Sequence, residues 1–222
     1  MPLPTLSLLE TRVLGVLVEK QHTVPDAYPL TLNALTAGCN QKTSRDPILA
    51  ATEAEVQATI DRLIGLSLVV ESSGGRVMRY SHNVQRVLAV PAEAVALLAT
   101  LTLRGPQTAA ELRIHSERLH RFADTSAAEG YLNELAVRPA GALAVELARA
   151  PGARETRWMH LLSGPPPAAS MRTIAESAAD EDVIAVSEIA ALRANVGRLQ
   201  DDVAALQAVV AKLCAELGVA PP

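Results

Sequence analysis

A module written twice constrains this chain more than any other feature. Residues 6–82 and 91–160 each read as helix, turn, helix, helix and a two-stranded hairpin. Both copies leave the hairpin through an arginine, an aromatic ring, one free position and a histidine: Arg79-Tyr80-Ser81-His82 and Arg157-Trp158-Met159-His160. Three helices closed by a hairpin is the layout of a winged helix, a shape that docks on nucleic acid or on another protein. The expected fold is therefore mainly α with small β-hairpins, an α+β chain of two tandem winged-helix domains over residues 1–88 and 89–163.

The element boundaries rest on local chemistry. Four hydroxyl residues each precede a Glu by three positions, the pairing in which each side chain satisfies the other's free backbone amide. They are Ser7 with Glu10, Thr52 with Glu55, Thr108 with Glu111, and Ser126 with Glu129. Leu9, Val13, Val16 and Leu17 follow the first, and Val56, Ile60, Leu63 and Ile64 the second, each a helix burying one stripe. After Ser126 the stripe is Ala128, Leu132, Leu135 and Ala136. Tyr28-Pro29-Leu30 leads into a short second helix over 31–37, with Gly38 as its stop. Pro91 opens, from its first turn, a helix that runs to Leu103, and Gly105-Pro106 breaks the chain after it. Residues 68–70 and 77–80 flank Ser73-Gly74-Gly75, and 143–147 and 156–161 flank Pro151-Gly152, giving two wings.

From Ser163-Gly164-Pro165-Pro166-Pro167 the chain becomes a linker of small and acidic residues over 164–187. Beyond it, Ile189, Leu192, Val196, Leu199, Val203, Leu206, Val210, Leu213 and Leu217 alternate spacings of three and four. With Ile189 at heptad position a, the a sites are chiefly β-branched and the d sites all Leu, a pattern that favours a parallel two-stranded coiled coil. The expectation is a C-terminal coiled-coil helix over 188–218 that joins two chains into a homodimer. A helix folded back on its own domains is the plainer alternative for this stripe.

Charge limits the partners. Residues 1–88 hold eight Lys/Arg against eight Asp/Glu, and residues 89–163 again eight against eight. The last 59 hold four against eight, so the net charge of −4 belongs to the tail. Neither module has the basic surplus of a strong, unselective DNA binder. Five aromatic residues are too few for the stacking platforms that hold single strands. Cys39 and Cys214 stand far apart without metal-ligand spacing, which fits a reducing compartment. Glu10 and Arg12 break the apolar N-terminus, and the apolar run 94–103 is too short for a bilayer, so a cytoplasmic protein without membrane contact is expected.

Three stretches resemble the YceH family, an uncharacterised group of bacterial tandem winged-helix proteins. The first runs from Glu10-Thr11-Arg12-Val13-Leu14-Gly15 to Lys20. It continues through Pro25-Asp26-Ala27-Tyr28-Pro29-Leu30-Thr31-Leu32-Asn33-Ala34-Leu35 to Cys39-Asn40-Gln41-Lys42-Thr43-Ser44-Arg45-Asp46-Pro47. The second is Leu103-Arg104-Gly105-Pro106-Gln107-Thr108 with Glu111-Leu112-Arg113 and Glu117-Arg118-Leu119; the third is Pro151-Gly152 with Arg154-Glu155, Arg157 and His160. The likeness covers both modules, and a helical tail is usual in that family. His22-Thr23-Val24, Ala110 and Trp158 depart from the family pattern, where a Thr pair, a Gly and a Tyr are usual. The resemblance implies the fold and brings no established activity.

Candidate contact residues lie in three places. Asn40, Gln41, Lys42 and Arg45 form a donor-rich loop between the second and third helices of the first module, where Lys42 and Arg45 are expected to hold phosphates. A solvated loop satisfying its own amides is the alternative, and the better one for Asn40. Arg113, Arg118 and Arg121, with His115 and His120, form the one basic cluster; contact with an anionic partner and pairing with Glu111 and Glu117 are both open. Arg76 and Arg154 sit near the wing tips and suit phosphates, whereas Arg79 and His82, and Arg157 and His160, read as struts locking each hairpin to its helices.

The third helices argue against ordinary groove reading. Their outward positions include Glu53, Gln57, Asp61 and Arg62 in the first module, and Glu129, Asn133 and Glu134 in the second. Carboxylates there would face phosphates. No nucleophile with a base, phosphate-binding loop or metal-ligand spacing is legible, so neither an enzyme nor a cofactor is expected. Two functions remain: a DNA-binding regulator in which dimerisation adds weak contacts to double-stranded DNA, and an adaptor that grips a partner protein.

Overall fold

The computed structural model describes residues 4–73, 77–149 and 152–166 of the chain. The heptads of 188–218 and nearly all of the linker lie outside them, as do Gly74, Gly75 and Arg76. Both modules belong to one compact unit, Met1–Arg149 with Ala153–Met171; Ala150–Gly152 and Arg172–Pro222 form a second, of which only Gly152 is described.

Two helices at the centre explain why the modules are not separate. α1, Leu8–Thr23, starts at the expected Ser7 and Glu10 capping box and is buried without a break from Glu10 to Val18. α5, Ala92–Arg104, is buried from Ala94 to Leu103. A helix buried on all sides must have neighbours on all sides, and these two lie directly on each other. A methyl group added at Gly15 would sit 2.6 Å from Thr102 Oγ1 and 2.9 Å from Leu103 Cγ, so the absence of a side chain is what lets the backbones meet. Each buried leucine at this seam, Leu14 and Leu98 among them, contributes about 1.5–3 kcal/mol over leaving it exposed.

Around α1, the first module adds α2, Leu32–Cys39, and α3, Glu53–Gly65, with the second expected capping box at Thr52 and Glu55. Its wing is β1, Val69–Ser73, paired antiparallel with β2, Met78–His82, in the register Val70 opposite Ser81. A short α4, Val84–Leu88, connects to α5. The second module adds α6, Ala109–His115, capped by Thr108 and Glu111, then α7, Thr125–Ala136, and a shorter wing, β3, Ala144–Glu146, with β4, Trp158–His160. This is the mixed α+β, winged-helix-like arrangement read from the repeat.

Local details differ from expectation. Gly38 does not stop α2; it is a buried residue within it, and a Cβ there would lie 2.6 Å from Val16 Cγ1. It is a crossing-point glycine. α7 is capped by Asp124, whose carboxylate accepts from the Ala127 amide, so the helix starts before the expected Ser126 and Glu129 box. Ser126 instead donates its hydroxyl to Asp124 Oδ1 at 2.8 Å. A carboxylate reaches the free amides of a first turn and offsets their partial positive charge at once, which a neutral hydroxyl cannot. Pro91 is the N-cap of α5, and that helix extends one residue beyond Leu103.

Candidate functional site

The repeat is preserved at the level of single contacts. In each module the residue before the N-cap of the second helix bridges the aromatic ring residue of the second wing strand. Leu30 and Tyr80 exchange backbone hydrogen bonds of 3.0 and 2.8 Å, and Gln107 and Trp158 exchange bonds of 3.1 and 2.7 Å. The arginine before each ring then donates to the carbonyl of the proline before each bridge: Arg79 to Pro29 at 2.8 Å and Arg157 to Pro106 at 3.1 Å. The Tyr80 hydroxyl donates to Gln57 Oε1, tying wing to α3. The struts expected of Arg79 and Arg157 are therefore formed, and these residues are occupied in holding the fold.

The two exit histidines are half-buried, and in each the Nδ1 atom is enclosed without a hydrogen-bond partner. Desolvation lowers both to about 4; the charge of His22 adds to the effect on His82. Both rings are neutral near pH 7.

Most polar side chains of the first module's loop are spent on the fold itself. Asn40 spends its amide on the backbone of Ala51, donating to the carbonyl at 2.7 Å and accepting from the amide at 2.8 Å. Arg45 was expected to hold a phosphate, but its side chain is wholly buried. It grips both oxygens of Glu19, at 3.1 and 2.6 Å, and also donates to Gly38, Ser44 and Gln41. Burial pushes the Glu19 carboxyl up, yet hydrogen bonding and charge from Arg45, with Lys20, bring it below its ordinary value. Gln41 accepts from Arg45 and donates to Thr43. Only Lys42 of this set is exposed.

Arg12 explains the inward turn. It is fully buried and donates to the carbonyls of Cys39, Asp46 and Pro47 at 3.2, 3.1 and 2.7 Å. The same loop reaches the second module, where Asp46 donates its amide to the Leu103 carbonyl and Arg104 donates to Ser44 Oγ at 2.7 Å. A cation in the middle of an otherwise apolar helix stripe was the signal that could have revealed this strut.

The outward faces of α3 and α7 carry the carboxylates expected of them. Glu53, Asp61, Glu129 and Glu134 are exposed. Glu53 accepts from Asn33, and Arg62 pairs with Glu10 at 3.0 Å. Beside the second wing, a cleft floored by Trp158 brings Arg149 and Arg154 together with Glu129, Glu146 and Glu155, so its charges largely cancel. Arg76 lies outside the described residues.

The basic cluster of the second module is largely open to solvent. Arg113 is half-buried, and Arg118 and Arg121 are exposed. The pairing of Arg113 with Glu111, one of the two readings left open, is absent among the described residues; Glu111 lies 3.6 Å from Arg157 instead. Arg113 and Arg121 flank a cleft with Ile114, Glu117, Phe122 and Ala123. His115 bonds to Gln107, and desolvation together with Arg104 lowers its pKa against the pull of Glu111, so this ring does not add charge as readily as an ordinary histidine. His120 packs edge-on against Phe122, with ring centroids 4.6 Å apart.

Among the described residues no three metal-ligating side chains converge, and no helix is long and apolar enough to cross a membrane. Burial raises the Cys39 thiol to about 12, which leaves it almost wholly un-ionised at neutral pH.

Residues 6–153 match the family described as "Protein of unknown function, DUF480". Among relatives, a UPF0502 protein of Methylibium petroleiphilum is 59% identical over 217 residues, spanning 98% of this chain and 92% of the relative. UPF0502 proteins of Paraburkholderia xenovorans and Burkholderia orbicola are each 56% identical over 214 residues, spanning 96% of this chain and 89% and 90% of those proteins.

Proposed function

The chain belongs to this uncharacterised bacterial DUF480 family, the YceH-like UPF0502 proteins, and from that premise we propose that it is a non-enzymatic docking protein whose paired winged helices grip a partner protein. The observation that carries the reading is the exposure of Glu53 and Asp61 on α3 and of Glu129 and Glu134 on α7. A third helix entering a major groove with carboxylates outermost would meet phosphates with like charge. The loop that would compensate in the first module has its Arg45 and Asn40 committed internally, which leaves Lys42. A protein surface imposes no such sign.

DNA binding is the second reading, favoured by the exposed Arg118 and Arg121 beside Arg113. In either case the heptads from Ile189 through Leu192, Val196, Leu199, Val203, Leu206, Val210 and Leu213 would join two chains and double the number of docking faces.

Fluorescence anisotropy of a labelled random duplex, with full-length protein at low and at moderate salt, tests the choice. The docking reading expects no saturable binding at low salt. Binding that weakens steeply with salt, with a slope reduced by Lys42→Ala or Arg118→Ala, would overturn it in favour of DNA. Sedimentation of a chain ending before Ile189 tests the assembly; a dimer persisting without the heptads would refute it.

A further inference from the structure

Resting on that docking reading, we propose that the cleft between α6 and residues 116–124 of the second module is where the partner binds, and that it takes an acidic segment carrying an apolar anchor side chain. Arg113 and Arg121 line the cleft, and Arg118 stands exposed on the same short stretch of chain. None of the three lies within 4.0 Å of a carboxylate among the described residues. Five arginines elsewhere in the fold are committed: Arg12, Arg45, Arg79, Arg104 and Arg157 all hold the molecule together.

The apolar element is equally local. Ile114 is 59% exposed on a seven-residue helix whose other face buries Ala109 and Leu112. Beside it Phe122, 4% exposed, is fixed edge-on between His120 and Tyr131 at centroid distances of 4.6 and 5.9 Å. An aliphatic side chain that shares one cleft with two guanidiniums and a packed ring matches a ligand with carboxylates near one hydrophobic residue. Guanidinium forks bind carboxylates through paired hydrogen bonds, and an apolar centre with a charged rim is how protein interfaces are generally built.

Two comparisons narrow the ligand. A nucleic-acid backbone would gain nothing from Ile114, whereas Glu117 in the same cleft opposes every anion alike. The cleft beside the second wing also holds two arginines, but Glu129, Glu146 and Glu155 offset them there, and its only large apolar surface is the buried Trp158.

The test uses the full chain and three probes: a short fluorescent peptide of Glu, Asp and Leu, its counterpart with Ser in place of Leu, and a short random duplex. The Leu peptide should bind. Arg113→Ala with Arg121→Ala should weaken it roughly tenfold or more. Ile114→Ser should weaken the Leu peptide and leave the Ser peptide unchanged, a difference that a general loss of folding cannot produce. Lys42→Ala should leave both alone. Absence of peptide binding, or binding indifferent to the Arg113 and Arg121 pair, would overturn the proposal. So would a duplex that depends on these arginines while the peptide does not bind. A protein captured equally by the wild-type chain and the double variant would sink this surface yet leave the docking reading standing; duplex binding with no protein captured would sink both.

Discussion

Arg45 Nη2 lies 2.6 Å from Glu19 Oε2 while Arg45 Nη1 lies 3.1 Å from Glu19 Oε1, so a guanidinium with no exposed surface is closed on a carboxylate of the neighbouring helix. Removing one partner strands the other. Arg45→Ala should lower the free energy of unfolding by about 3 kcal/mol, whereas Lys42→Ala, three residues earlier on the same loop but exposed, should change it by less than about 0.5 kcal/mol. Urea denaturation of the two variants checks this, and equal losses would contradict the division of labour described for the loop.

Stability should fall with acid through His82 and His160. Both are held at about 4 in the fold, below the ordinary value of 6.5. The unfolded chain therefore binds protons first as pH drops from 6.5 toward 4, and in that window unfolding becomes steadily easier, with no further contribution from these groups below it. The sign is that of a depressed histidine: stability is gained as pH rises. Replacing both histidines with Gln should flatten the pH dependence of the urea midpoint between pH 6.5 and 4; an unchanged slope would exclude these rings as its source.

Glycines should divide by their surroundings. Gly38→Ala places a methyl 2.6 Å from Val16 Cγ1, and Gly15→Ala crowds Thr102 and Leu103, so each should destabilise by about 1–3 kcal/mol. Gly130, within α7, has open space where its Cβ would be, and Gly130→Ala should stabilise by about 0.5–1 kcal/mol. Thermal unfolding followed by circular dichroism separates the two groups by sign.

The modules should unfold together. Trp158, the single tryptophan, is in the second module, while Ile60 is fully buried in the first. Ile60→Ala, costing about 2–5 kcal/mol, should shift the Trp158 fluorescence transition and the helical circular-dichroism transition to the same lower urea concentration. A Trp158 midpoint that stays in place would mean that the shared core does not couple the halves.

What the chain reveals in its letters follows the range of the interaction. The capping boxes at Ser7, Thr52 and Thr108 and the hairpins were legible because each is settled near in sequence, and the exits, whose arginines bond 50 and 51 positions away, because the motif occurs twice. Gly38 was misread because a crossing glycine and a helix-ending glycine look alike until Val16 is placed beside it. Arg45 was misread for the same reason: its partner Glu19 is 26 positions away. One long-range feature did leave a trace. The unbroken burial of 94–103 in α5 follows from an apolar run with no polar side, which among soluble folds implies a helix enclosed by neighbours and hence joined modules.

The contact at Gly15 lies in a core that the two halves share, between two helices buried along most of their length. A partner that engages both halves in this arrangement would have to match one spacing. On the proposed docking function, such a protein would measure its target as well as grip it: a few residues inserted between two contact segments of a partner would abolish recognition while leaving every contacting side chain intact.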